Sequence, residues 1–216
     1  MNISVAIEDP NGLPLRQHTF AGAGTFVVAQ PGKTFTVRVT TGSSETIATR
    51  LYIDGVDTGW KTNVTKRHVF KGWQQPGGQS LRQFVFAAPP TVEDASMLPA
   101  GAANQLDSLG EIKLIAWRTV PGDPKKQGKK RAPPKGVAHV QQAVPEGKKV
   151  LAVGVTTAAG AIMPHAPHPF SSRKRDKKGG PIATITLRYC VPDALALSPI
   201  DSLKKVGESA SASGTQ

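Results

Sequence analysis

Thr34-Phe35-Thr36-Val37-Arg38-Val39-Thr40 alternates without a break. Phe35, Val37 and Val39 fall on one side of an extended chain, and Thr36, Arg38 and Thr40 on the other. A period of two is the mark of a β-strand with one dry face and one wet face. The segment 47–53 repeats the pattern, with Leu51 and Ile53 inward and Arg50 and Tyr52 outward. It runs into Asp54-Gly55, a dipeptide suited to hairpin turns because both positions tolerate a positive φ. Residues 34–53 are therefore expected to form one antiparallel unit.

On either side of this unit, strands are also expected at 3–7, 25–28, 64–70, 81–86, 111–117, 149–155 and 182–190. Gly77-Gly78 supplies a tight turn before 81–86, while other connections are long and rich in Pro, Gly, Ala or Lys. The only weak helical candidate is 91–98, where Glu93-Asp94 places negative charge at the start. About nine strands without a helical period point to an all-β chain, an antiparallel, jelly-roll-like β-sandwich with long loops. The 22 Gly and 18 Pro among 216 residues fit a chain that must turn often. That length suits a single domain over 1–205, able to bury roughly 70% of its unfolded surface. Residues 206–216 form a small, polar, low-complexity tail.

The net charge of +12 is unevenly placed. Lys125, Lys126, Lys129, Lys130, Arg131 and Lys135 contribute +6 within a loop insertion at 122–136. Arg173, Lys174, Arg175, Lys177 and Lys178, against Asp176, contribute +4 within a second insertion at 171–180. Only +2 remains for everything else, so the sandwich body is almost neutral. The insertion at 122–136 lacks apolar periodicity, and it and the polar residues 209–216 are expected to be mobile unless bound. These eleven cations are the candidate contacts to nucleic acid or to an acidic protein surface. They also fit nuclear import signals.

The single cysteine, Cys190, excludes an internal disulfide and reads as a small buried hydrophobe within an alternating strand. The start of the chain lacks the cationic and apolar regions of a secretion signal, and no apolar run is long enough to span a bilayer. Synthesis in a reducing, intracellular compartment is the expectation.

Catalytic and metal chemistry find little to stand on. His165-Ala166-Pro167-His168 is the only close histidine pair, and its prolines give an extended loop without further ligands, so no metal and no cofactor are expected. Asp54 and Asp57 flank a turn, where Asp is favoured because its side chain bonds nearby amides. Neither a nucleophile elbow nor a phosphate-binding glycine loop occurs. Trp60 and Trp73 lie in a Gly-rich region and have two readings: caps on one end of the core, or candidate interface aromatics. Trp117 ends an alternating strand.

The succession 35–39, Leu51-Tyr52-Ile53-Asp54-Gly55-Val56, Phe70-Lys71-Gly72-Trp73, Gln83-Phe84-Val85-Phe86-Ala87, Leu109-Gly110-Glu111-Ile112 through Trp117-Arg118, and the closing Ile185-Thr186-Leu187-Arg188-Tyr189 with Leu195 and Ile200 resembles an uncharacterised β-rich family. That family is a domain of unknown function, best represented in fungi. The resemblance spans nearly all of 1–205 and implies a sandwich without implying a chemistry. The basic insertion around 128–134 departs from the family pattern. A looser architectural similarity, in strand number and size, runs to the single jelly rolls that large DNA viruses use as penton and minor capsid proteins.

The leading expectation is a non-enzymatic structural protein that assembles with copies of itself or with other shell proteins, as a capsid component within a virion. The alternatives are a nuclear or nucleic-acid-associated binding module using the basic tracts, and a carbohydrate-binding sandwich with a groove lined by Trp60 or Trp73.

Overall fold

The computed structural model describes residues 1–20, 24–89, 91–92, 108–122, 144–145, 155–166 and 173–192. Sixteen strand segments occur among them: β1 (Ile3–Glu8), β2 (Gln17–Phe20), β3 (Gly24–Val28), β4 (Thr34–Thr41), β5 (Ile47–Ile53), β6 (Val56–Asp57), β7 (Thr62–Val64), β8 (Arg67–Phe70), β9 (Gly72–Gln74), β10 (Ser80–Ala87), β11 (Thr91–Val92), β12 (Glu111–Pro121), β13 (Val144–Pro145), β14 (Thr156–Pro164), β15 (Arg173–Arg175) and β16 (Ala183–Cys190). The chain is all-β, and two sheets pack together as a sandwich. The smaller sheet runs β1-β4-β10-β14, with β8 on β4 and β9 on β10. The larger runs β2-β3-β16-β12-β5-β6, with β7 on β5 and β15 on β12. Among the described residues no helix is long and apolar enough to cross a membrane.

The inward side chains read from alternation meet between the sheets. Phe35, Val37, Val39, Leu51 and Ile53 are all buried, alongside Phe70, Phe84, Phe86, Ile112, Leu114 and Tyr189. Phe35 stacks on Phe86 at 4.1 Å between ring centroids and on Phe84 at 5.4 Å. Burying each such ring in place of leaving it wet contributes about 1.5–3 kcal/mol. Cys190 is buried as expected, and desolvation pushes its thiol up to about 11. Gly72 sits where a strand presses on its neighbour: a Cβ there would lie 2.2 Å from the backbone oxygen of Arg82. Only glycine fits that approach.

Several expectations are corrected. β4 and β5 do not pair; β4 bonds β1, β8 and β10 in the smaller sheet, whereas β5 bonds β6, β7 and β12 in the larger. Between them the chain is bent by bonds from the Gly42 amide to the Asn2 carbonyl (2.8 Å) and from the Glu45 amide to Ser43 Oγ (3.0 Å). Alternation specifies a buried face but not a partner, and two facing sheets satisfy it as well as one hairpin. The segment 64–70 is broken into β7 and β8 by Lys66, whose φ is 72°. The sandwich is not purely antiparallel, because β3 and β16 run parallel. Thr91–Val92 is a strand parallel to β13 and not the start of a helix. β12 continues four residues past Trp117, to Pro121. Arg173–Arg175, expected within a loop, is a strand paired with Thr119, Val120 and Pro121. Residues 93–98, the expected strand at 149–154 and the tail at 206–216 lie outside the described residues.

Asp54 does more than turn the chain. Asp54 and Gly55 have φ of 51° and 77° and make the expected tight connection, here between β5 and β6. The Asp54 side chain, however, is only 2% exposed. Its Oδ1 accepts the Gly110 amide at 2.8 Å and the hydroxyl of Tyr189. Its Oδ2 accepts Thr156 Oγ1 at 3.0 Å, the Thr157 amide at 2.9 Å and Thr157 Oγ1 at 2.7 Å. Asp54 and Tyr189 belong to the larger sheet and Thr156 and Thr157 to the smaller, so one carboxylate bonds both layers. Burial, then the neighbouring Asp54 charge, holds the Tyr189 hydroxyl well above its usual value of 10.0.

Asp54→Asn keeps the size and tolerates the positive φ, but sets an amide NH2 against groups that are themselves donors. It is expected to lower the unfolding free energy by about 3 kcal/mol or more, because several buried donors lose their acceptor together. Urea denaturation checks this, and a change below about 1 kcal/mol would refute the bridging role. A second expectation concerns alkaline pH. Tyr189 and Cys190 both have folded values above their unfolded ones, so the folded state binds more protons and their stabilisation is complete below pH 9. Stability should fall as pH rises from 9 through 11 as Cys190 titrates in the unfolded chain, and further above 10 through Tyr189. Cys190→Ala and Tyr189→Phe should each flatten their part of the decline in pH-dependent urea midpoints; unchanged slopes would contradict it.

Candidate nucleic-acid interface

β12 is the longest described strand and organises the site. Its inward residues, Ile112, Leu114 and Ala116, are buried. The intervening positions therefore point outward: Glu111, Lys113, Ile115 and Trp117. Register aligns them with outward residues of the flanking strands. Tyr52 lies opposite Lys113 and Arg50 opposite Ile115 on β5, while Arg188 lies opposite Glu111 on β16. Lys113 and Arg188 are exposed, and Arg50, Tyr52, Ile115 and Trp117 are partly exposed. Arg188 pairs with Glu111 at 3.4 Å, a surface contact with little energetic weight.

β15 adds the next part of this face. Arg173–Arg175 pairs with the far end of β12 on the edge that β16 occupies nearer its start, so residues 176–182 form an excursion between two pieces of one interrupted strand. The Asp176 amide donates to the Arg118 carbonyl at 2.9 Å, and Ile182 resumes the ladder on Ala116 at 2.8 Å. Asp176 Oδ1 accepts the Lys178 amide and shapes the turn. Arg173 is fixed at both ends: its Nε donates to Thr119 Oγ1 at 2.8 Å and its carbonyl accepts Asn63 Nδ2 at 2.8 Å. Thr119 Oγ1 in turn donates to the Thr46 carbonyl at 2.7 Å.

Arg175 lies over the ring of Trp117, 4.8 Å from its centroid. A guanidinium held on an indole face gains roughly 0.5–2 kcal/mol and is oriented before any ligand arrives. A shallow concavity of about 240 Å³ opens beside it on the same face, lined by Tyr52, Gly55, Ser108, Glu111, Lys113 and Ile115. The charged outward residues of β5, β6, β12, β15 and β16 are Arg50, Lys113, Arg173, Arg175 and Arg188 against Asp57 and Glu111, net positive by three.

Of the expected cationic contacts, Arg173, Lys174, Arg175, Lys177 and Lys178 are described; Arg173 and Lys174 are exposed on β15, and Lys177 and Lys178 at the turn that follows. Lys125, Lys126, Lys129, Lys130, Arg131 and Lys135 lie outside the described residues. Pro121, the last residue of β12, pairs with Arg173, and Lys125 follows Pro121 by four positions in the sequence.

Of the two readings of Trp60 and Trp73, burial bears out the core one and not the interface one. Trp60 is 3% exposed and Trp73 fully buried, so both serve the core and neither offers an interface or a carbohydrate platform. Trp60 Nε1 donates to the Gly72 carbonyl at 2.7 Å, and Trp73 packs edge-on to Phe84. His165, expected in a solvated loop, packs edge-on to Trp60 at 5.1 Å, with His68 on the same indole at 5.8 Å. His168 lies outside the described residues. Among the described residues no group of three or more His, Cys, Asp or Glu side chains is placed to hold a metal ion. The aromatics that do reach the outer face, Tyr52 and Trp117, were missing from the expected contacts. Their signal was the outward phase of two strands already legible in sequence.

Comparison with known proteins bears out the resemblance to an uncharacterised family: residues 17–198 match a family model described as a domain of unknown function, DUF7918. No curated protein and no solved structure matches the chain.

Proposed function

We propose that this chain, which belongs to the family of unknown function DUF7918, is a non-enzymatic binding protein that holds nucleic acid through its phosphate backbone. The observation that carries this reading is the pairing of Arg173–Arg175 with residues 119–121, which sets one basic tract on the end of β12, the strand after which the sequence runs on to the other tract. Ten of the twelve net positive charges belong to those tracts, against an almost neutral remainder of the chain. Each phosphate neutralised there releases counterions, giving affinity that depends on salt and little on sequence. The absence of a reaction centre in this reading is supported by Asp54, the most heavily bonded carboxylate, which is sealed in the core with all of its donors supplied by the protein.

Self-association is a second reading, favoured by β14. Among the described residues this strand pairs only with β10, and it presents Ile162, 62% exposed, on an apolar run of Ala158, Ala159, Gly160 and Ala161. A capsid subunit within a virion would be one instance, whereas a nuclear location suits the first reading. Light scattering over a rising concentration series separates them: growth in mass that Ile162→Lys abolishes supports assembly, and a constant monomer mass refutes it.

For the leading reading, binding to a fluorescein-labelled DNA duplex should weaken steeply with salt. Replacing Lys125, Lys126, Lys129, Lys130 and Arg131 by Gln should lower the slope of log affinity against log salt by about 0.9 for each phosphate that the variant no longer neutralises. Fluorescence anisotropy at several salt concentrations measures both. No binding at low salt, or an unchanged slope in the variant, would overturn the reading.

A further inference from the structure

Phosphate contact alone does not use the ring systems on the outer face of the larger sheet. We infer that this face takes an unpaired strand of nucleic acid, with bases set on Tyr52 and on the Arg175–Trp117 stack; the inference rests on the phosphate-binding reading above and narrows it to single strands.

Three features of the face converge on this ligand. The first is its exposure: β5, β12 and β16 lie side by side, with Tyr52 beside Lys113 and Arg50 beside Ile115. A base in a duplex is already stacked on its neighbours, whereas an unpaired base has two free faces and gains about 1–3 kcal/mol by lying on an aromatic ring or guanidinium plane. The second is the composite platform. Trp117 supports Arg175 from beneath, so the guanidinium offers its outer plane to a base and its edge N–H groups to a phosphate.

The third feature is the concavity beside Tyr52. At about 240 Å³ it is smaller than sites for drug-sized molecules and suits one planar ring system. Ile115 and Tyr52 give it apolar surface, Lys113 a donor, and Glu111 an acceptor for exocyclic amino groups. Tyr52 and Trp117 are separated by four residues along the strand direction, about 14 Å, with Arg50 in the register between them. An extended strand crossing from one platform to the other would therefore pass a cation midway, then reach Arg173 on β15.

The test compares three labelled probes with the full chain by fluorescence anisotropy: a short single-stranded oligonucleotide of mixed sequence, the same length of abasic strand, and the matching duplex. The abasic strand keeps every phosphate and removes every base. The intact strand is expected to bind about tenfold or more tighter than the abasic strand. Tyr52→Leu and Trp117→Leu are each expected to reduce that preference several-fold, while affinity for the abasic strand changes less than twofold in Tyr52→Leu. Urea midpoints of both variants confirm folding, and the wild-type comparison stands independently of either. Equal affinity for intact and abasic strands would overturn the inference and leave the phosphate reading in place. Failure to bind any probe would overturn both. A preference that survives in both variants would refute this face as its source.

Discussion

The carboxylate of Asp54 is the constraint from which the rest of the architecture follows. Two sheets can slide on an apolar interface at little cost, because hydrophobic contact has no direction. Hydrogen bonds to a buried carboxylate do have direction, and those of Asp54 come from Tyr189 and the Gly110 amide in one layer and from Thr156 and Thr157 in the other. Because Gly110 immediately precedes β12 and Tyr189 lies on β16, the same group sets where the central pair of the larger sheet begins. The opposite ends of β12 and of the interrupted β15–β16 strand follow from that anchor.

Once the near end is fixed, the far end is free for another use. β12 extends past the sandwich core, since Arg118, Thr119, Val120 and Pro121 are all at least partly exposed. β15 completes this extension and would have little apolar surface to hold it by itself. Its stability comes from the ladder to 119–121, the Arg173–Thr119–Thr46 chain of hydrogen bonds, the Asn63 contact and the Arg175–Trp117 stack. Five cations of one tract are thereby presented on a framework in place of a free loop, at the root of the other tract. Such an arrangement lowers the entropy lost when phosphates bind, because ordering has already occurred on folding.

Alternation made the strands at 34–40, 47–53, 81–86 and 182–190 legible within a residue or two, since each has one face against the core. It was silent on pairing: β4 and β5 read as a hairpin and lie in different sheets. Short or bent pieces also escaped it. β2, β6 and β9 are too brief to establish a period, and β14, with Ala158, Ala159, Gly160 and Ala161, has side chains too small to separate a wet from a dry face. Asp54-Gly55 was correctly read as a turn, but a turn residue and a buried acceptor look identical in sequence until Tyr189 and Thr157 are brought beside it. The cations were visible as tracts. That Arg175 would rest on Trp117, 58 positions earlier in the chain, depended on a register that no local pattern encodes.

The proposed reading requires both basic tracts to arise from one pole, and the distance between a pair of spin labels tests this. Cys190 is buried with its thiol pushed up to about 11, so labels at Lys126→Cys and Lys174→Cys can be attached selectively near neutral pH. The register of Pro121 on Arg173, with five residues of chain to position 126, sets an upper limit of about 25 Å between the two labelled Cα atoms. The expected electron–electron dipolar distribution lies within that limit, widened only by the label arms. A distribution centred well beyond it would mean that β15 does not lie on β12 and that the tracts act apart.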